Sequence, residues 1–276
     1  IYLADRVDAL IAQHRGRNIL STRKIIIEKL MKYRGTFFNK VIIDTFIDVA
    51  TSEYFWLMLE PRHLNRLTFE MEKESKPHVV GRKTFLQMAT IFDEIVDAKS
   101  PFTVEHSLGV SRLARFIGDL VGLSEDKQNM LEVAGLLHDL GKLNVPDEIL
   151  DKPGALSLEE RMIMMRHSFE SYQILSRIEG FEDISKWAAF HHEALSGKGY
   201  PFHRDKKGLS LEARIVAVAD VFQALAQNRP YRDSLPKNEI SNIMDDMVAR
   251  GHLDTQLVDL TKSNSEECLQ YATCVG

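Results

Sequence analysis

An all-α fold is predicted by three observations. Apolar residues recur at three- and four-residue steps along most of the chain, and no convincing period-two alternation interrupts them. Ser100 and Ser124 stand as N-cap residues in front of two of the periodic runs. The composition agrees: 276 residues, 44% hydrophobic and 27% charged, with 15 Gly and 8 Pro, exclude a disordered, collagen-like or low-complexity chain.

Taken in order, residues 83–97 place Phe85, Met88, Ala89, Phe92 and Val96 at helical steps. Ser100-Pro101 then reads as an N-cap followed by proline at the first helical position, opening a helix to about Val121. Ser124 caps the next, which runs through Leu131, Ala134 and Leu137 to His138. Further helices are expected at about 157–176, 181–193, 212–228 and 236–250, with a Gly- and Lys-rich loop at 194–210.

The charged break Glu72–Pro77 predicts a boundary between residues 1–76 and 77–276. Leu3-Ala4-Asp5-Arg6-Val7-Asp8-Ala9-Leu10 echoes Val218-Ala219-Asp220-Val221-Phe222-Gln223-Ala224-Leu225, and Gly35 and Gly251 follow the respective aspartates at 30 and 31 residues. The repeat predicts a duplicated module whose first copy holds only its back half, so that residues 1–76 are structural. Because residue 1 is Ile, the chain is expected to start within a longer protein.

A net charge of −5 with neutral His argues against a nucleic-acid polymer as partner. Cys268 and Cys274 are too few for a disulfide framework or a zinc motif, and a reducing cytoplasm is the expected compartment. No apolar run approaches the roughly 20 residues of a membrane helix, and no signal peptide is visible.

Five of the ten histidines, His106, His138, His167, His191 and His192, fall between positions 106 and 192. Asp139 follows His138 at the end of one apolar helix, and Asp220 lies inside another, Ile215-Val216-Ala217-Val218-Ala219. A buried carboxylate is costly unless compensated, and a cation compensates it most strongly. Helix capping or pairing with Arg214 are the other uses open to Asp220. Imidazole and carboxylate together suit Fe, Mn or Zn, and five His with two Asp are more than one metal needs. Two metals sharing a bridging carboxylate would use them all.

The segments Leu137-His138-Asp139-Leu140-Gly141-Lys142-Leu143, Val145-Pro146-Asp147-Glu148-Ile149-Leu150 and Lys152-Pro153-Gly154-Ala155-Leu156 resemble the core of the HD-GYP phosphodiesterases. His191-His192-Glu193-Ala194-Leu195-Ser196-Gly197-Lys198-Gly199-Tyr200-Pro201 matches that family's HHExxxGxGYP signature throughout, and Arg214–Phe222 and Asn228–Arg232 extend the likeness over about residues 83–260. The resemblance implies an HD-type helical bundle with a GYP loop, preceded by a partial, degenerate HD-like helical segment. It also implies hydrolysis of a cyclic dinucleotide, chiefly cyclic di-GMP to the linear dinucleotide and on to GMP, by a metal-activated bridging hydroxide. The alternatives are specificity for 3′3′-cyclic GMP-AMP, or a weakly active receptor acting through a protein partner. Besides the substrate, a second copy of the chain or a signalling protein is the expected partner.

Carried over by position, His106, His138, Asp139 and Asp220 would hold one metal. His167, His191 and His192 would hold the second, with Asp139 bridging. Two divalent ions, Fe or Mn, are expected. Asp139 and Lys142 are the catalytic candidates, Lys142 contacting the scissile phosphate and assisting the leaving oxygen. Arg229 and Arg232 match positions that grip phosphates, and Tyr200 offers a ring and a hydroxyl to the substrate. Gly197, Gly199 and Pro201 shape the loop, and Glu193 reads as a partner orienting a His.

Three departures from the family pattern stand out. Phe102 replaces a Glu that helps some members bind a third metal, which supports two metals here, and Glu105 points elsewhere on its helix. Gln223 replaces the usual Asp three residues after Asp220, near the nucleotide in the family, and is expected to relax the preference for guanine. Ser168-Phe169-Glu170-Ser171 replaces Pro-x-x-Gly after His167, which puts the local backbone shape in question.

Overall fold

The computed structural model describes residues 2–14, 16–60, 63–64, 68–71, 82–99, 104–228 and 234–273. They form helices joined by turns, and the extended pairing among them is limited to two isolated bridges, Arg34 with Phe38 and Ser196 with Asp205. No described helix is long and apolar enough to cross a membrane. The chain divides into two compact units, Ile1–Val79 and Val80–Gly276, a few residues beyond the charged break at 72–77.

The first unit contains α1 (Tyr2–Ala12), α2 (Ile19–Met31), α3 (Lys40–Ala50) and α4 (Glu53–Met58). Asn18, Asn39 and Ser52 cap α2, α3 and α4, each accepting a backbone N–H two residues ahead. Leu3, Val7 and Leu10, Ile26 and Leu30, Ile43 and Trp56 supply its core. Trp56 is fully buried and satisfies its indole by donating Nε1–H to the Ala50 carbonyl at 2.8 Å.

The second unit starts with α5 (Arg82–Lys99) and α6 (Val104–Leu120). On α5, Ala89 and Val96 are buried whereas Met88 and Phe92 are 46% and 40% exposed, so the packed face is narrower than the periodicity predicts. Ser100, Pro101 and Phe102 lie outside the described residues, as do Arg229, Arg232 and Cys274, and the side chain of Glu105 is likewise outside them. Ser124 caps α7 (Glu125–Leu137), accepting from Lys127 N. A 3₁₀ turn over Leu140–Asn144 and the short α8 (Asp147–Leu150) follow.

A capping box between Ser157 and Glu160 opens α9 (Leu158–Leu175). Next, α10 (Glu182–Ala189) ends before His191 and His192, which sit in a turn rather than in the longer helix expected over 181–193. The chain closes with α11 (Leu211–Ala226), α12 (Lys237–Ala249), α13 (Thr255–Ser263) and α14 (Ser265–Thr273).

Helix α11 is the axis of this unit. Ala213, Ile215, Val216, Ala217, Val218, Ala219, Phe222 and Ala226 are all buried, covering every side of the helix, as a central core helix requires. Helices α6 and α7 pack against each other at Gly135. A Cβ there would fall 2.6 Å from Ser111 Cα, so only glycine allows the two backbones to come this close. This contact brings the start of α6 and the end of α7, and with them His106 and His138, to one end of the bundle.

Candidate metal centre

The seven predicted ligands converge at that end. His106 comes from α6, His138 and Asp139 from the end of α7, His167 from α9, His191 and His192 from the turn after α10, and Asp220 from α11. His192 is half-buried and the other six are buried. Three sets have their ligand atoms within 4.8 Å of one another: His106, His138 and Asp220; His167, His191 and His192; and His138, Asp139 and His191.

Asp139 lies between the first two sets. Its Oδ2 is 3.3 Å from His138 Nε2 and 3.9 Å from His106 Nε2, while its Oδ1 is 3.4 Å from His167 Nε2. Asp220 Oδ1 is 3.2 Å from His106 Nε2 and 3.9 Å from His138 Nε2. Arg214 ion-pairs instead with Asp254 at 3.2 Å and donates to the carbonyls of Lys206 and Leu209 at 2.7 Å each, so Asp220 is left to the imidazoles.

Proton placement tests whether these residues suit cations. His138, His167 and His191 each direct Nδ1 at a backbone carbonyl three residues earlier: Gly135 at 2.7 Å, Met164 at 2.6 Å and Ala188 at 2.6 Å. A carbonyl only accepts, so each ring carries a proton on Nδ1 and turns Nε2 inward. The Nε2 atoms of His167 and His191 then face each other at 3.3 Å. Burial drives both rings towards the neutral form, more strongly than Asp139 favours the His167 cation, so two lone pairs oppose one another. A cation held by these nitrogens would remove that conflict. The donor set therefore fits transition-metal binding.

Charge elsewhere in the site points the same way. Burial disfavours the charged form of Asp220, yet the His106 hydrogen bond and the neighbouring imidazoles hold its carboxyl far below the usual range. Asp139 is likewise held well below it, its burial outweighed by His138 and Lys142. Burial also disfavours the His138 cation, but the charge and hydrogen bond of Asp139, with Asp220, raise it to about 9. For His192 burial prevails and lowers it to about 4.

The catalytic candidate Lys142 comes from the 3₁₀ turn, with Nζ 2.5 Å from Asp139 Oδ2. Tyr200 packs its ring 4.8 Å from His192 at an interplanar angle of 31°. Burial, then the charges of Asp220 and Asp139, raise its hydroxyl pKa, which keeps it a proton donor.

Two assignments change. Glu193 does not orient a His: its oxygens accept the backbone N–H of Phe202 at 2.6 Å and of Arg204 at 2.8 Å, so it anchors the loop after the GYP motif. Gln223 is 1% exposed and bonded to His106, so it is not presented to a base.

The loop is fixed at several further points. Gly197 has φ +72°, and a Cβ on Gly199 would lie 2.3 Å from Ala194 N, so Gly199 lets the loop close against its own backbone. The Tyr200–Pro201 peptide is cis. Phe202 packs against Phe190 and Tyr172, with centroids 5.2 and 5.5 Å away.

Ser171 was not singled out as a functional residue by its sequence. Its hydroxyl donates to the His138 carbonyl at 2.8 Å and accepts from Gly141 N at 2.8 Å, clamping the His-Asp turn to α9. The only signal was the departure from Pro-x-x-Gly after His167. Despite that departure, α9 runs unbroken through this stretch.

Residues 90–257 match the sequence model of the HD domain family, a span that contains all seven clustered residues. The chain belongs to the HD domain family. Its HHExxxGxGYP loop makes it an HD-GYP member. Over 278 residues this HD-GYP chain is 36% identical to 3′3′-cGAMP-specific phosphodiesterase 1 of Vibrio cholerae, covering 98% of the chain and 64% of that protein. It is 42% identical over 127 residues to the cyclic di-GMP phosphodiesterase response regulator RpfG of Xanthomonas campestris, covering 45% of the chain and 34% of that protein. The solved structure of the cyclic GMP-AMP specific phosphodiesterase V-cGAP3 of V. cholerae superposes with a TM-score of 0.58 at 26% identity, covering 98% of this chain and 58% of that one. The HD-GYP chain thus spans less than two thirds of each of these relatives.

Proposed function

We propose that this chain is a metal-dependent phosphodiesterase of cyclic dinucleotides. One observation carries the reading: the two oxygens of Asp139 face opposite histidine sets, the arrangement a carboxylate needs to bridge two cations. His106, His138, Asp139 and Asp220 would hold one, and His167, His191, His192 and Asp139 the other, with Fe or Mn as the expected metal. Such a pair supplies Lewis acidity, offsets negative charge on the transferring phosphoryl oxygens and yields a nucleophile from water near neutral pH.

The chain's own side chains have separate tasks. Asp139 and Asp220 would offset two of the four positive charges of a divalent pair, which leaves the centre attractive to an anionic substrate. Lys142 Nζ, 2.5 Å from Asp139, places an ammonium at the edge of the centre, where it binds the scissile phosphate and donates a proton to the leaving oxygen. Tyr200 stays protonated and lies over His192, offering a donor and a ring to the ligand. Arg229 and Arg232 grip the phosphates in this reading.

Among cyclic dinucleotides, 3′3′-cyclic GMP-AMP is favoured as substrate. The relatives named as specific for it align over 98% and 80% of the chain, against 45% for RpfG and 64% for a cyclic di-GMP phosphodiesterase of Thermotoga maritima. Cyclic di-GMP is the second reading, supported by the 42% identity to RpfG. The test is hydrolysis of both by purified protein loaded with Mn(II) or Fe(II), followed by chromatography. Linear dinucleotide appearing faster from cyclic GMP-AMP is the expected result. Tight binding with no product at full metal loading would favour the receptor reading.

A further inference from the structure

We propose that Gln223 is a positioning residue that presents His106 to one of the two metals and couples that metal to the C-terminal helix α14. The proposal rests on the two-metal reading of the centre. His138, His167 and His191 each take their Nδ1 partner from a backbone carbonyl of their own segment, three residues earlier. No side-chain substitution can remove those partners. His106 differs: its Nδ1 lies 2.5 Å from Gln223 Oε1, a side chain on another helix and 117 residues away in sequence.

The amide's orientation follows from its second bond. Gln223 Nε2 lies 3.3 Å from the Ala272 carbonyl, which can only accept, so the nitrogen faces α14 and the oxygen faces His106. His106 therefore donates from Nδ1 and turns Nε2, 3.2 Å from Asp220 Oδ1, towards the centre. The fold makes room for this link. A Cβ on Gly109, three residues after His106 on α6, would lie 2.7 Å from Gln223 Cγ and 2.3 Å from the Ala272 oxygen. Glycine there allows α6, α11 and α14 to meet around the amide. A base-reading side chain would have its polar atoms open to a ligand, whereas both ends of this amide are engaged inside the protein and the residue is 1% exposed.

The experiment is a calorimetric titration of metal-free wild type, Gln223→Leu, Gln223→Glu and His106→Ala with Mn(II), each checked for folding by circular dichroism. Wild type should bind two ions. Gln223→Leu should weaken one of them by about 10–100-fold, the usual effect of losing an outer partner of a ligating His, and leave the other unchanged. The affected ion should be the one lost in His106→Ala. Gln223→Glu keeps an acceptor opposite Nδ1 and should stay within a few-fold of wild type. Folded Gln223→Leu that binds both ions as wild type does, or weakens both equally, would overturn the proposal.

If Gln223→Leu does not fold, the wild type decides. Loaded with Zn(II), it should show a slowly exchanging Nδ1 proton on His106 in long-range ¹H–¹⁵N spectra, and rapid exchange would overturn the proposal. A wild type that binds a single ion would contradict the two-metal reading instead. The positioning role would then be decided by whether Gln223→Leu weakens that ion.

Discussion

Asp139 is buried at 3% exposure among three imidazoles and one ammonium, and its two oxygens do different work. Asp139→Ala should abolish hydrolysis and reduce metal content even though the remaining ligands stay in place, because the shared carboxylate is gone; turnover at the wild-type rate would sink the bridging role. His138 supplies a second prediction. In the metal-free protein it is raised to about 9, so at pH 7 it carries a proton that a metal must displace. The sign follows: a raised folded pKa stabilises the metal-free fold fully below about 6.5, and this contribution fades as pH rises through about 9. Metal affinity should accordingly rise with pH and level off above about 9, with about one proton released per chain from His138 at pH 7. Calorimetry in buffers of different ionisation enthalpy reads that proton, and a buffer-independent heat would contradict the prediction. Five of the seven convergent side chains could be picked out from the His-Asp pair, the HHE motif and the aspartate in an apolar helix, and His106 and His167 from the family resemblance. The uses of Glu193 and Gln223 could not. A side chain's hydrogen-bond partner depends on which backbone reaches it after packing, and theirs lie on a returning loop and on another helix.

The site depends on close contacts between helices and turns. Gly141 brings the His-Asp turn against α9, and a Cβ there would stand 1.9 Å from the His167 carbonyl oxygen and 2.7 Å from Ser171 N. Gly141→Ala should therefore lower stability by about 1–3 kcal/mol, as overpacking does, and shift Asp139 away from His167. Thermal unfolding together with metal content checks both effects; an unchanged melting temperature with full metal would contradict them. The loop has its own anchor in Glu193. Glu193→Ala should cost about 1–3 kcal/mol by removing the acceptor of two backbone N–H groups. It should also speed amide exchange at Phe202 and Arg204 and raise KM while both metals stay bound. Loss of a metal in folded Glu193→Ala would restore the idea that Glu193 orients a His. Helix existence was legible because the apolar period is strong, and Ser124 caps its helix as its sequence position suggests. The end of α10 was not, because a turn places His191 and His192 where continued periodicity suggested helix.

At the scale of the whole molecule, the clustered metal-type ligands among the described residues all lie in the second unit. In the first unit, Asp5 is exposed on α1, whereas its sequence counterpart Asp220 is buried on α11. The echo between them extends to element order. Helix α1 is followed by α2 of 13 residues and Gly35 at φ +80°, and α11 by α12 of 13 residues and Gly251 at φ +70°. We propose that this shared order reflects a duplicated module, of which the second unit alone, among the described residues, brings metal-type ligands together. Asp5→Ala should accordingly leave turnover and metal content unchanged; a collapse of activity in folded protein would mean that the first unit takes part in the chemistry. The central claim is that two ions share Asp139, and electron paramagnetic resonance of metal-free protein given two equivalents of Mn(II) per chain tests it most directly. The account predicts an exchange-coupled spectrum from a bridged pair. Two uncoupled six-line signals, or saturation at one ion per chain, would contradict it.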